Sequence, residues 1–252
     1  VVDGRIYAAR DGGGVTVYEV PTHYPPTYLR ELGYGNAPGS VQDIVVDGAY
    51  AYLASEGGGL QILDIADVNR PKQVGHTSMG GVGYGVVLTG SHAYVAAGSG
   101  GLRVVDVTDP AEPLEVGYYT TTGTARDVAV SGQYAYVADG DGGLRVIDVG
   151  TPTQPVEIGA YDALTFSTSV FISDSVVYLI DDSKVLYTFD VSDPSQPQKL
   201  GSFGIPNAIR VVVAGEYAYV ACGSRGLRVI DVSDPLHPSE VGHADSMSAL
   251  DV

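Results

Sequence analysis

Residues of very different chemistry occupy one recurring position of this chain. The position falls about every 42 residues, at the start of a short β-branched run. Its occupants are Asp43, Gly85, Asp127, Ser169, Arg210 and Asp251. The residues directly before them are Gln42, Tyr84, Arg126, Thr168, Ile209 and Leu250. A position that serves only to build a repeated element should hold similar residues, so this variation in charge, size and polarity marks a candidate site.

The carboxylates of this set suit a divalent cation, because calcium prefers several oxygen ligands. Asp43, Asp127 and Asp251 are therefore the candidate metal ligands, and calcium is the one cofactor considered. Arg210 occupies the same position one repeat before Asp251, which predicts an ion pair between them. The alternative is a solvated opening that these polar side chains line without a function. The candidate ligand-binding residues are Asp43, Tyr84, Arg126, Asp127, Arg210 and Asp251.

No motif predicts a catalytic residue. The five histidines have no metal-ligand spacing, and neither a Ser–His–Asp set nor a phosphate-binding loop is visible. Cys222 is the only cysteine, so intrachain disulfides are excluded. It ends an apolar run without a neighbouring histidine, which favours a small packing residue over a nucleophile.

The element that must position the candidate site is a repeat of about 42 residues. A turn glycine recurs in the phrase V-x-G-x-Y-A-Y-V-A, at Gly4, Gly48, Gly90, Gly132 and Gly215. A two-residue turn with glycine second, between apolar runs, predicts a tight β-hairpin. Asp174 stands in the same slot of the fifth repeat and predicts a looser turn there.

Each repeat contains four short predicted strands. In the clearest copy, the hairpin joins the runs 126–130 and 134–138, a glycine-rich loop leads to 144–149, and a proline-bearing loop leads to 156–159. Four short antiparallel strands, repeated radially, describe the blade of a β-propeller. The prediction is an all-β, six-bladed β-propeller in one domain over residues 1–252. Its blades start near residues 41, 83, 125, 167, 208 and 249, the last continuing at residue 1.

The two termini are predicted to close the ring. Asp251-Val252 reads into Val1-Val2-Asp3-Gly4 as a copy of the phrase at residues 43–48. The termini should therefore share the innermost strand of one blade. A blade alone would leave apolar faces wet, so closure is needed for stability.

An acidic residue recurs in every predicted third strand. These residues are Glu19, Asp64, Asp106, Asp148, Asp190 and Asp231. Each lies a few residues before a loop that contains proline. Because aspartate in such loops accepts hydrogen bonds from nearby backbone N–H groups, we expect these carboxylates to be structural. The alternative is one metal or ligand site per blade.

The third-strand phrases, together with the Ser-Asp-Pro-x-x-Pro that follows, resemble the LVIVD repeat. They include Leu60-Gln-Ile-Leu-Asp-Ile65, Leu102-Arg-Val-Val-Asp-Val107, Leu144-Arg-Val-Ile-Asp-Val149 and Leu227-Arg-Val-Ile-Asp-Val232. This repeat forms propellers in mostly prokaryotic and often cell-surface proteins. The resemblance covers essentially the whole chain. It implies the fold and an extracellular or cell-surface setting, but no shared reaction.

Composition restricts the partners. The formal net charge of −17, from 30 acidic and 13 basic residues, disfavours nucleic acid, whose phosphates require clustered basic residues. The apolar runs are too short and interrupted for membrane insertion. The predicted function is a non-catalytic interaction or scaffold module of a surface or secreted protein, binding a protein or polysaccharide partner through one loop face. The alternatives are a metal-assisted hydrolase or lactonase with a cation in the central channel, and a subunit of a surface assembly.

Overall fold

The computed structural model is all-β and describes residues 4–9, 13–19, 30–57, 59–245 and 249–251. Its strands form six antiparallel sheets, and within each sheet the strands lie in chain order. Each sheet is one blade, so the predicted six-bladed β-propeller is confirmed. In this described part of the chain, no helix is long and apolar enough to cross a membrane.

The chain divides into two compact units, Val1–Gly117 and Tyr118–Val252. The first unit contains three blades. Blade 1 has β1 (Arg5–Ala9), β2 (Val15–Glu19) and β3 (Arg30–Gly35). Blade 2 has β4 (Val41–Asp47), β5 (Tyr50–Ser55), β6 (Gly59–Asp64) and β7 (Lys72–Thr77). Blade 3 has β8 (Gly85–Thr89), β9 (His92–Ala96), β10 (Leu102–Asp106) and β11 (Leu114–Tyr119), whose last residues fall in the second unit.

The second unit also contains three blades, each of four strands. Blade 4 has β12 (Asp127–Ser131), β13 (Tyr134–Ala138), β14 (Leu144–Asp148) and β15 (Val156–Tyr161). Blade 5 has β16 (Ser167–Ser173), β17 (Val176–Asp181), β18 (Val185–Asp190) and β19 (Gln198–Gly204). Blade 6 has β20 (Arg210–Ala214), β21 (Tyr217–Ala221), β22 (Leu227–Asp231) and β23 (Ser239–Ala244). In blades 2 to 6 the first strand listed is called the inner strand, and in every blade the last is called the outer strand.

The hairpin after each inner strand is tight, including the one that lacks glycine. Gly132 has a φ of 58°, the left-handed value that this turn needs. Asp174 has a φ of 52°, and Ser173 pairs with Val176 in the register that Ser131 and Tyr134 show in blade 4. The predicted looser turn at Asp174 is therefore wrong. Aspartate is one of the few residues besides glycine that tolerates the left-handed region.

Each core cluster is formed by two adjacent blades. Between blades 4 and 5, Tyr136 and Val146 pack with Leu179 and Phe189, all of them buried. The Phe189 ring meets Tyr161 edge-on, with 4.9 Å between the ring centroids. Blades 5 and 6, blades 1 and 2, and blades 2 and 3 share similar clusters. This explains why the strands are apolar on both faces.

Adjacent blades also meet backbone to backbone, at glycines of the outer strands. A Cβ placed on Gly201 of blade 5 would lie 2.5 Å from the Pro235 carbonyl oxygen of blade 6. A Cβ on Gly159 of blade 4 would meet the Pro194 carbonyl oxygen of blade 5 in the same way. The proline-bearing loop of one blade therefore fits against the outer strand of the blade before it.

The C-terminal residues lie where an inner strand would begin. Ala249 exchanges two backbone hydrogen bonds with Gly223 of blade 6, at 2.7 and 2.9 Å. Ser167, at the start of the inner strand of blade 5, makes the equivalent pair with Gly140 of blade 4. This placement agrees with the predicted role of residues 249–251. Their predicted continuation into Val1–Asp3 lies outside the described residues.

Candidate functional site

The predicted site residues are distributed over both units. Asp43 in β4 and Tyr84, directly before β8, belong to the first unit, where the Tyr84 ring lies against Gly98. The second unit holds the others, which are Arg126, Asp127, Arg210 and Asp251. Asp43, Tyr84, Arg126, Asp127 and Arg210 lie near the start of an inner strand or directly before one, as the repeat predicted. The strand predicted to continue from Asp251 lies outside the described residues.

In the second unit the structure brings three of these residues together around one guanidinium. Arg210 Nε lies 3.2 Å from Asp251 Oδ1, so the predicted ion pair is confirmed. Arg210 Nη2 lies 3.4 Å from Asp127 Oδ1. The Arg126 guanidinium lies over the Phe166 ring, 5.2 Å from its centroid. Arg210 is thus held between the carboxylate of Asp251 and that of Asp127, which lies two blades earlier.

Asp127 is tied to the backbone of two blades. Its Oδ1 accepts a hydrogen bond from the amide of Val128 at 2.9 Å, within blade 4. Its Oδ2 accepts one from the amide of Val170 at 3.0 Å, in blade 5. Burial raises the pKa of Asp127, and this rise is opposed by Arg210 and by the amides of Val170 and Val128. The carboxylate therefore joins adjacent inner strands.

The same connection recurs in other blades with different residues. Asp43 accepts from the amide of Ile44 at 2.9 Å and, across to blade 3, from the amide of Val86 at 2.8 Å. Ser169 in blade 5 accepts from the amide of Val211 in blade 6 at 3.3 Å. Three members of the variable set thus share one structural role, which is to accept a hydrogen bond from the next inner strand.

In the second unit, a bound cation would have to compete with Arg210 for two of its predicted ligands. Asp127 and Asp251 both face Arg210, whose positive charge occupies the position between them. Within the described residue ranges, no three His, Cys, Asp or Glu side chains are grouped so as to hold a metal ion. Calcium binding by Asp43, Asp127 and Asp251 stays a prediction.

The third-strand aspartates are structural, as expected. The Oδ1 atom of each accepts a hydrogen bond from the amide two residues further on. The distances are 2.9 Å for Asp64, 2.8 Å for Asp106, Asp148 and Asp190, and 2.9 Å for Asp231. Glu19 differs, since its longer side chain pairs with Arg30 of the outer strand at 2.7 Å. These aspartates hold the start of the proline-bearing loops.

We expect this loop array to lose stability in acid. Hydrogen bonds from the hydroxyl and amide of Thr108 lower the pKa of Asp106, and those from Ser233 lower that of Asp231. A lowered folded-state pKa contributes stability above the unfolded value, and this contribution is lost as the pH falls through the folded value. The melting temperature should therefore drop below about pH 4.

Melting curves of Asp231→Asn test this expectation. The amide oxygen of asparagine still accepts the loop hydrogen bond but does not titrate, so the variant should lose less stability in acid than the parent. Asp47→Asn, in the hairpin turn of blade 2, is the control for removing one acidic residue. Equal acid sensitivity of Asp231→Asn and the parent would contradict the expectation.

The structure also contains a charged cluster that the sequence interpretation missed. The second residue of β14, Arg145, lies between the carboxylates of Asp139, Glu157 and Asp162. The sequence does contain a signal for this cluster, because an arginine recurs at the second position of the third strand and a glutamate follows it in the outer strand. The pairs are Arg103–Glu115 at 3.2 Å, Arg145–Glu157 at 3.7 Å and Arg228–Glu240 at 3.8 Å.

Solved structures with the same fold have different functions. The periplasmic gluconolactonase PpgL of Pseudomonas aeruginosa matches with a TM-score of 0.73 at 17% identity, over 91% of this chain and 78% of that one. A putative 6-phosphogluconolactonase of Bacteroides uniformis matches with a TM-score of 0.78 at 13% identity, over 96% and 81%. The Cps50 (Swd1) β-propeller domain of Myceliophteria thermophila matches with a TM-score of 0.74 at 15% identity, over 97% and 84%. At such identities the likeness concerns the fold alone.

The family is identified by the repeats themselves. No curated protein sequence matches the chain. The family model of the LVIVD repeat matches five times, at residues 38–77, 80–121, 122–163, 167–204 and 207–246. These matches span blades 2 to 6 and cover most of the chain. The chain therefore belongs to the LVIVD-repeat family of β-propellers.

Proposed function

We propose that this chain is a non-catalytic interaction module of a surface or secreted protein, and that it binds a protein partner. The proposed contact surface, called the entry patch, consists of Ile209, Arg210, Leu250 and Asp251 in the second unit. The setting outside the cytoplasm is the one that the LVIVD resemblance implies. A scaffold role in a surface assembly would use the same kind of contact.

The observation that carries this proposal is the exposure of two apolar side chains beside a fixed ion pair. Leu250 is 69% exposed and Ile209 is 37% exposed. They directly precede Asp251 and Arg210, whose side chains pair at 3.2 Å. Protein interfaces combine apolar contacts with arginine anchors, and an anchor that is already held in place loses little conformational entropy on binding. Aliphatic side chains also suit a protein better than a polysaccharide.

A metal-assisted hydrolase or lactonase is the main alternative. Two structural neighbours are a gluconolactonase and a putative 6-phosphogluconolactonase, but at 17% and 13% identity the likeness supports only a common fold. The alternative needs Asp127 and Asp251 to bind a cation, whereas both pair with Arg210 in the second unit. The binding proposal requires no change in these two ion pairs.

Photo-crosslinking from the entry patch tests the proposal. A photoreactive amino acid at position 250 should give a discrete protein adduct in cells that express the chain. The same amino acid at position 236 is the matched control, because Leu236 is 54% exposed in the proline-bearing loop of blade 6. Ile209→Ser should then weaken the adduct about tenfold, as the loss of one interface anchor does.

Three results would contradict the proposal. Equal adducts from positions 250 and 236 would mean that the entry patch is not a specific surface. Binding to cell-envelope polysaccharide that Ile209→Ser abolishes would replace the protein partner with a glycan. Hydrolysis of gluconolactone that needs calcium and is lost in Asp127→Asn with Asp251→Asn would favour the enzyme.

A further inference from the structure

A buried arginine in blade 4 is surrounded by more negative charge than it neutralises. The Arg145 side chain is only 9% exposed. Its shortest ion pair, 2.7 Å from Nη2 to Oδ1, is with Asp162, whose side chain is 75% exposed. The carboxylates of Asp139 and Glu157 lie further away, each at 3.7 Å. One guanidinium thus faces two inner carboxylates and a third one at the surface.

The two inner carboxylates differ in their hydrogen bonds. Asp139 is fully buried and accepts from the Thr121 hydroxyl and, at 2.8 Å, from the Gly123 amide. Glu157 Oε2 is buried and has no hydrogen-bond partner in the described part of the chain, although the Tyr119 hydroxyl faces this carboxyl group. Hydrogen bonds to a carboxylate favour its ionised form, and burial without them favours the neutral form.

We propose that Glu157 and Asp139, arranged around Arg145, form a proton-binding site that takes up one proton from solvent as the pH falls. Glu157 Oε2 receives the proton, and Asp139 stays ionised. Arg145 then pairs with Asp139 without competition from Glu157. Because Asp139 also holds Thr121 and Gly123, the proton stabilises blade 4 together with the connection from β11 to β12. This inference does not depend on the proposed function.

The charges around Glu157 support this geometry. Burial raises the pKa of Glu157, Arg145 opposes the rise, Asp139 and Asp162 add to it, and the Tyr119 hydroxyl opposes it. These groups come from β14, from the loop after β13, from the segment after β15 and from β11. The two negative neighbours, Asp139 and Asp162, therefore outnumber the one cation, Arg145.

The pKa of Asp139 is raised as well. Burial raises its pKa, the hydrogen bonds from Thr121 and Gly123 and the charge of Arg145 oppose the rise, and Asp141 adds to it. The direction in which stability changes with pH follows from the raised pKa values of Glu157 and Asp139. A group whose folded-state pKa exceeds the unfolded one contributes stability that is fully present below the unfolded pKa and is lost as the pH rises through the folded pKa.

The repeat provides a matched control in blade 6. There Arg228 lies 3.8 Å from Glu240 and 2.9 Å from Asp245, as Arg145 lies near Glu157 and Asp162. The position equivalent to Asp139 is Cys222, a buried thiol. Among the described residues, Glu240 therefore has the arginine and the outer aspartate but no second buried carboxylate, and it also has His243 at 3.2 Å.

The first test compares the pH dependence of unfolding by urea. Glu157→Gln removes the charge and keeps the shape, so at about pH 8 its folding equilibrium constant should exceed that of the parent severalfold. At about pH 4, where the parent holds its proton, the gain should disappear. In a His243→Gln background, which removes the histidine next to Glu240, Glu240→Gln should show no such pH-dependent gain. Equal gains at both pH values, or none in Glu157→Gln, would overturn the proposal.

The second test observes the proton directly and uses a surface variant that keeps the buried residues. A carboxyl ¹³C NMR titration should place the midpoint of Glu157 above the ordinary glutamate value. Asp162→Asn should lower this midpoint, because one negative neighbour is lost and Arg145 becomes free to pair with Glu157. A midpoint at the ordinary value, no change in Asp162→Asn, or a midpoint that shifts with calcium at constant ionic strength would overturn the proton site.

Discussion

Replacing Asp127 by alanine should lower the free energy of unfolding by about 3 kcal/mol. The change removes the acceptor for the amides of Val128 and Val170, and each orphaned buried amide costs about 1–3 kcal/mol. It also leaves the Arg210 guanidinium with Asp251 as its remaining ion-pair partner of the two described at the entry patch. Equilibrium unfolding by urea measures the loss.

Two further variants separate the structural role from a role in ligand binding. Asp127→Asn should cost less than Asp127→Ala, but it should still destabilise the fold, because its NH₂ group would face one of two backbone N–H donors. Ser169→Ala, at the same position of blade 5, should cost less, about 1 kcal/mol, since the Ser169 hydroxyl accepts one long hydrogen bond of 3.3 Å from Val211 and donates to Asp127. Full stability of Asp127→Ala, together with a calcium-dependent rise in the melting temperature of the parent, would restore the cation interpretation.

The fold was predictable because each repeat carries its own turn and strand signals. The phrase around Gly132 recurs with little change, and the tight hairpins lie where it predicts them. The same regularity identified the structural aspartates, since the Asp148 carboxylate and the amide it accepts from are only two residues apart. Local chemistry of this kind is visible in a sequence. The turn at Asp174 was misjudged because a rule for glycine was applied to a residue that also tolerates a positive φ.

The role of the inner-strand acids was not predictable, because it depends on contacts between blades. Asp43 and Asp127 reach amides in the following blade, Val86 and Val170, which are distant in sequence. Variation at their position was interpreted as evidence for a binding site. The structure shows that different side chains meet one requirement there, since Ser169 also supplies an oxygen acceptor to the next blade.

The charged cluster around Arg145 was overlooked for a related reason. The Leu-Arg-Val-Ile-Asp phrase predicts a strand and a structural aspartate, and it does not show which carboxylates lie near its arginine. Its partner Glu157 lies in the next strand of the same blade, where the register pairs Arg145 with Ala160 and Ile147 with Glu157. The register shift between Val146 and Ile147 could not be derived from spacing alone, and it sets which side chains lie near the guanidinium.

Gly201→Ala should destabilise the protein by roughly 2–3 kcal/mol, the upper part of the usual cost of overpacking. The new methyl group would lie 2.5 Å from the Pro235 carbonyl oxygen and 2.7 Å from that of Leu236. The proline-bearing loop of blade 6 cannot simply move away, because the Thr188 hydroxyl donates to the same Pro235 oxygen at 2.6 Å. That hydroxyl in turn accepts from the Gly201 amide at 2.9 Å.

A second glycine of the same strand provides the control for this prediction. A Cβ at Gly204, also in β19, would have no described atom within 4 Å, so Gly204→Ala should be neutral or stabilising by about 0.5 kcal/mol through the unfolded chain. Urea unfolding of the two variants isolates the contact between blades 5 and 6 from the intrinsic difference between glycine and alanine. Since outer-strand glycines meet the proline-bearing loop of the next blade at Gly159 as well as at Gly201, Gly159→Ala should behave like Gly201→Ala. If Gly201→Ala were as stable as Gly204→Ala, close backbone packing would not be what holds adjacent blades together, and the shared core clusters and inner-strand hydrogen bonds would have to supply that stability.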